Sequence, residues 1–125
     1  MIAGGIATIY VSDMDRAVRF YTETLGLKLR YRADQDWAVI DAGPGLTLGL
    51  HGAREGVPVG RSGSISVGFN VTEPLDRVVE TLSRRGVLFR GPVREDTAVR
   101  LAFFGDPDGN DLYLADMQAA GPPPG

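Results

Sequence analysis

A chain of 125 residues and 13.4 kDa has room for one domain of ordinary size, with a core that buries roughly two thirds of the unfolded surface. It contains no cysteine, which excludes disulfide staples, a thiolate metal site and a cysteine nucleophile. A net charge of −3 and a pI near 5.0 disfavour a nucleic acid partner. No apolar run is long enough to span a membrane and no basic side chain precedes the first apolar stretch, so the composition predicts a soluble, cytoplasmic protein.

The elements follow from periodicity. Residues 6–11 read as a strand. Met14, Ala17, Val18, Tyr21 and Leu25 then recur at helical spacing, with Ser12 and Asp15 as a capping pair and Gly26 as the stop. Strands are predicted over 27–32, 37–42 and 46–51, the last two separated by Gly43-Pro44-Gly45. Over 64–71 the alternation is clear: Ile65, Val67, Phe69 and Val71 on one face, Ser66, Gly68 and Asn70 on the other. Leu75, Val78, Val79 and Leu82 form the stripe of a second helix, with Pro74 in its first turn and Gly86 at its end. Strands over 87–91, 98–104 and 110–115 follow, the last two joined by the turn Asp106-Pro107-Asp108-Gly109-Asn110, and residues 119–125 form a flexible tail.

The chain repeats. Val11, Val18 and Gly26 recur at one constant spacing as Val71, Val78 and Gly86, and Gly45, Leu48 and Leu50 recur at a slightly longer one as Gly109, Leu112 and Leu114. The predicted fold is α+β: two copies of a strand, a helix and three strands, over about 1–55 and 62–118. One copy alone buries too little surface, so the two make a single domain over 1–118.

The run Val11-Ser12-Asp13 with Arg16-Ala17, Phe20-Tyr21 and Leu25-Gly26-Leu27, followed by Asp106-Pro107-Asp108-Gly109-Asn110 before a final strand, resembles the vicinal oxygen chelate superfamily. That group includes glyoxalase I, extradiol dioxygenases and bleomycin resistance proteins. The resemblance implies paired βαβββ modules whose sheets curl around a cleft with helices outside. It also implies a divalent metal held by one residue from the first and last strand of each module. Carried over by motif spacing, those positions fall at Ile6, Gly49, Ser66 and Tyr113. Isoleucine and glycine offer no side-chain donor, and a hydroxyl with a phenol does not replace His or carboxylate ligands. No metal and no cofactor is expected, and the resemblance is closest to the metal-free, bleomycin-resistance-like branch.

With the apolar faces under the helices, alternation directs Tyr10, Gly49, His51, Ser66, Asn70, Asp111 and Tyr113 to the cleft. These residues, with Trp37 as a platform at its mouth, are the predicted ligand-binding set. Gly49 and Gly68 would leave volume open. His51, the only histidine, is the candidate general base; the alternative is a strand-end histidine beside the Gly52 turn. Tyr113 either stacks on a ligand or plugs the vacated metal position. Asp111 either orients a ligand or serves the preceding turn. One of Phe103 and Phe104 faces the cleft, and Arg100 is either a contact to an anionic ligand or a surface charge.

The expected function is metal-independent sequestration of a small aromatic or amphipathic compound, such as an antibiotic or another natural product, by a homodimer. The competing reading is a glyoxalase-, isomerase- or lyase-type enzyme on the same scaffold, with or without a divalent metal. The four weak metal positions favour binding over catalysis.

Overall fold

A computed structural model describes residues 1, 6–60, 65–95 and 99–116. Its first strand, β1 (Ala7–Val11), leads into α1 (Met14–Arg19). The helix cap is Asp13, whose carboxylate accepts from the Arg16 backbone N–H at 3.1 Å. The predicted Ser12–Asp15 pair does not form: Ser12 donates its hydroxyl to Asp108, and Asp15 pairs with Arg32.

The helix does not run unbroken to Gly26. Residues Phe20–Thr24 form a π-helical turn, in which the Leu25 N–H donates to the carbonyl of Phe20 at 3.0 Å. The cause is local: the Thr22 hydroxyl donates to the Val18 carbonyl at 2.6 Å, competing for the acceptor that regular winding requires. Leu25, expected on the apolar stripe, is thereby rotated to half-burial, whereas Met14, Ala17, Val18 and Tyr21 are buried.

β2 (Lys28–Ala33), β3 (Trp37–Asp41) and β4 (Thr47–Gly52) complete the first sheet, in the order β1-β4-β3-β2 with β1 parallel to β4. β5 (Ser66–Asn70), α2 (Leu75–Arg84), β6 (Arg94–Glu95), β7 (Arg100–Gly105) and β8 (Asp111–Asp116) repeat that plan in the order β5-β8-β7-β6, with β5 parallel to β8. The architecture is α+β, with two βαβββ modules of four-stranded mixed sheets. No helix among the described residues is long and apolar enough to cross a membrane. The tail predicted at 119–125 lies outside the described residues.

One predicted strand is absent. Residues 87–91 are not a strand, and on the side of β7 away from β8 the antiparallel partner is the two-residue β6. Val87 is buried, but Leu88 stands 86% exposed, and a single backbone bond, Arg90 N–H to Phe103 carbonyl at 2.7 Å, ties the segment to β7. Gly91, with φ +83°, and Pro92 then turn the chain away before a ladder can form.

Contacts divide the chain into two units, Met1–Ser62 with Asp106–Asn110, and Gly63–Gly105 with Asp111–Gly125. In the first, Ile9, Val11, Ala38, Ile40, Leu48 and Leu50 line the covered face of the sheet and pack on Met14, Ala17, Val18 and Tyr21. In the second, Val67, Ala102, Phe104, Leu112 and Leu114 do the same against Leu75 and Leu82, with Phe89 against Phe104 at 5.4 Å. Each large apolar side chain so buried contributes roughly 1.5–3 kcal/mol. Because strands alternate, the same burial that seats one set of residues under a helix turns the other set to the opposite face.

A polar lock holds the first unit. Asp106 is buried, and its two carboxylate oxygens accept four hydrogen bonds: the Tyr21 hydroxyl at 2.9 Å and the Asn110 side-chain amide at 2.8 Å on one, the backbone N–H groups of Asp108 at 3.0 Å and Asn110 at 2.9 Å on the other. Asp108 in turn accepts from the Ser12 N–H at 3.0 Å and from Arg16 at 3.3 Å. The turn is organised by Asp106, and not by Asp111, one of the two roles left open for that residue.

Candidate functional site

On the face of the first sheet away from α1, the register places Tyr10 and Trp37 on either side of His51, because β4 lies between β1 and β3. The Tyr10 and His51 rings stand 4.8 Å apart and tilted by 35°, and Trp37 meets His51 edge-on at 6.1 Å. The ring of Trp37 lies across Gly49, so that a Cβ there would fall 2.2 Å from the indole. Gly49 therefore does not leave the open volume expected of it. The missing side chain is the seat of the indole, an aromatic ring packed over a strand glycine. Tyr10, Trp37, Gly49 and His51, all predicted, form one continuous patch.

His51 Nδ1 is 2.7 Å from the Gly52 carbonyl oxygen. A carbonyl only accepts, so Nδ1 carries the proton and Nε2 of the neutral ring is left as an acceptor. The ring also borders a depression of about 300 Å³ with Asp36 and Arg54, at the end of its strand. That depression lies beside the Gly52 turn, at the strand end.

The second unit carries a cleft of about 440 Å³, lined by Ile65, Ser66, Arg90, Arg94, Phe103, Asp111 and Leu112. Of the predicted residues it gathers Ser66 and Asp111. Tyr113 adjoins it through Phe103, the two rings being 5.7 Å apart, and lies over its cross-strand partner Gly68, where a Cβ would fall 2.2 Å from the phenol ring. Asn70, at the other end of β5, is exposed and is not in the lining. Phe103 is the cleft residue of its pair, and Phe104 is fully buried.

Two arginines of this cleft had no sequence signal. Arg90 belongs to the segment read as a strand and forms an ion pair with Asp111. Arg94 sits on the unforeseen β6, its guanidinium carbon 5.3 Å from the centre of the Phe103 ring. Arg100 is tied instead to Asp76 at 3.0 Å and Glu95 at 3.2 Å, the surface role of the two considered for it.

A divalent metal does not fit the four positions that the resemblance assigns to it. Ile6 has no donor, the space in front of Gly49 is filled by the indole, and Ser66 and Tyr113 offer only hydroxyl groups. Among the described residues no three His, Asp or Glu side chains gather elsewhere to take their place.

The indole–glycine contact has a direct test. In Gly49→Ala the ring of Trp37 must leave its seat, and because it is the chain's only tryptophan the emission maximum moves to longer wavelength, with a stability loss of about 1–2 kcal/mol. Unchanged emission would show that the ring does not lie there.

Residues 5–114 match the Glyoxalase/Bleomycin resistance protein/Dioxygenase superfamily model. Among solved structures, the chain is similar to TnmS3, an antibiotic binding protein from Streptomyces sp. CB03234, at 27% identity and a TM-score of 0.77 over 94% of this chain and 97% of that one. It is similar to a glyoxalase/bleomycin resistance protein from the same organism, at 30% identity and a TM-score of 0.70 over 90% and 98%. A glyoxalase/bleomycin resistance protein/dioxygenase from Nocardioides matches at 26% identity and a TM-score of 0.74 over 100% and 89%.

Proposed function

Because this chain belongs to the Glyoxalase/Bleomycin resistance protein/Dioxygenase superfamily, we propose that it sequesters a small aromatic or amphipathic compound of the antibiotic or natural-product class without using a metal. The observation that carries this reading is the make-up of the sheet faces turned away from the helices: Tyr10, His51 and Trp37 in one unit, and Phe103 and Tyr113 beside the 440 Å³ cleft in the other. Flat rings supply contact area at low entropic cost, and a cleft of that volume is of the size that holds drug-sized ligands. The likeness to an antibiotic binding protein supports the same reading. In it the ligand meets Tyr10, Trp37, Gly49 and His51, or Ser66, Asp111 and Tyr113, and Asn70 stands at the margin. The proposed active form is a homodimer, which sedimentation at micromolar concentration checks.

A thermal-shift panel of aromatic antibiotics, run with and without EDTA, tests the function. A ligand present at a hundred times its Kd adds about 2.7 kcal/mol of stability, and the shift is the same in EDTA. A panel without any shift, or a shift that needs added divalent metal, would refute the proposal. Consumption of a stabilising compound, lost in His51→Ala, would establish instead the enzymatic reading in which Nε2 of His51 moves a proton.

A further inference from the structure

We propose that the cleft of the second unit selects an aromatic ligand that carries an anionic group, with Arg94 as the residue that reads the charge. This deepens the function proposed above and rests on it. Among the described lining residues two guanidinium groups, Arg90 and Arg94, stand against one carboxylate, Asp111, so the described lining carries more positive than negative charge in a chain whose net charge is −3. A local field opposite to that of the whole molecule is not an average property of the composition. It must come from the placement of particular side chains.

The arginines near the cleft differ in how their charge is met. Arg90 is paired with Asp111, and Arg100, on β7, is paired with Asp76 and Glu95. Arg94 is matched to no carboxylate among the described residues. Its guanidinium lies over the face of Phe103, 5.3 Å from the ring centre, and Phe103 itself stands 5.7 Å from Tyr113. A cation held by the π-face of a ring keeps its N–H donors free for a planar oxyanion, which a guanidinium binds through two parallel hydrogen bonds. Beside it, Phe103, Ile65 and Leu112 offer apolar surface for a ring, and Ser66 offers a hydroxyl. An aryl carboxylate or aryl sulfonate satisfies both halves of the wall at once. A neutral aromatic compound uses only the apolar half, and a cationic one meets Arg94 with like charge.

Calorimetric titration with three probes of one ring system separates the possibilities: naphthalene sulfonate, naphthalene methanol and naphthyl methylammonium. The sulfonate should bind at least about tenfold more tightly than the alcohol, the ammonium compound more weakly than either, and added salt should narrow the gap. Arg94→Gln should erase the preference for sulfonate while leaving the affinity for the alcohol in place, and Arg94→Lys should retain part of it. Arg94 is exposed on a two-residue strand, so both variants fold. Equal affinity for sulfonate and alcohol in the unmodified protein, or a preference that survives in Arg94→Gln, would overturn the inference and leave the proposed binding function standing. Absence of binding by all three probes would count against both.

Discussion

Replacement of Asp106 by alanine should cost about 3 kcal/mol or more of unfolding free energy and lower the melting temperature by about 10 °C, as read from denaturant and thermal unfolding. The buried carboxylate is the common acceptor of four donors; the Asn110 side-chain amide also donates to the Tyr10 carbonyl, at the longer distance of 3.3 Å. Without the carboxylate the Tyr21 hydroxyl, on a side chain with no exposure at all, is left unsatisfied in the core, and the Asp106–Asn110 turn loses the group around which it folds. Hydrogen bonds to a charged acceptor contribute about 1.5–3 kcal/mol each when lost singly, and four that share one acceptor do not add in full. Asp106→Asn should be nearly as damaging. Each carboxylate oxygen receives two donors, and an amide turns one of those oxygens into a donor facing two others. A variant with unchanged stability would mean that the lock does not form.

Alkaline solution attacks the same contact from its other end. Burial pushes the Tyr21 phenol well above the ordinary tyrosine value of 10.0, and the negative charge of Asp106, its hydrogen bond and the charge of Asp108 push in the same direction. The folded protein keeps a proton that the unfolded chain surrenders near pH 10. The stabilisation is therefore complete below pH 10 and declines above it, by about 1.4 kcal/mol for each further pH unit, until the folded phenol ionises as well. Tyr21→Phe should lose about 1–2 kcal/mol at neutral pH, because Asp106 gives up a donor, yet lack this part of the alkaline decline. Stability curves for the two proteins should thus converge above pH 10. Parallel curves would show that Tyr21 is not held in its protonated form by the fold.

Much of this architecture is legible in the residues because burial writes a period into them. Val67 against Ser66 and Gly68, or Leu112 and Leu114 against Asp111 and Tyr113, can be sorted by parity alone, and the structure places the apolar set under the helix. That parity brought Tyr10, Gly49 and His51 to one face. It misled at 87–91, where Val87, Leu88 and Phe89 have the composition of a strand but lack a partner along their length, since pairing is a property of the neighbour as much as of the segment. Arg94 was invisible for the same reason: its significance comes from a two-residue ladder with β7 that brings it over Phe103. The π-helical turn escaped because Thr22 acts through a single hydroxyl hydrogen bond, which no apolar spacing reports. Asp106 and Asp111 look alike in the sequence, and only the core around Tyr21 tells the buried acceptor from the one that faces Arg90.

The seating of Trp37 on Gly49 makes two uses of one strand position mutually exclusive. A carboxylate introduced at position 49 would evict the indole, while retaining the indole forbids the carboxylate. A path from this chain to a metal-binding one therefore keeps the aromatic platform to the end only if position 49 is the last of the four to change. Changed earlier, it leaves a chain with neither the platform nor a complete ligand set, so the barrier lies in the order of the mutations as much as in their number.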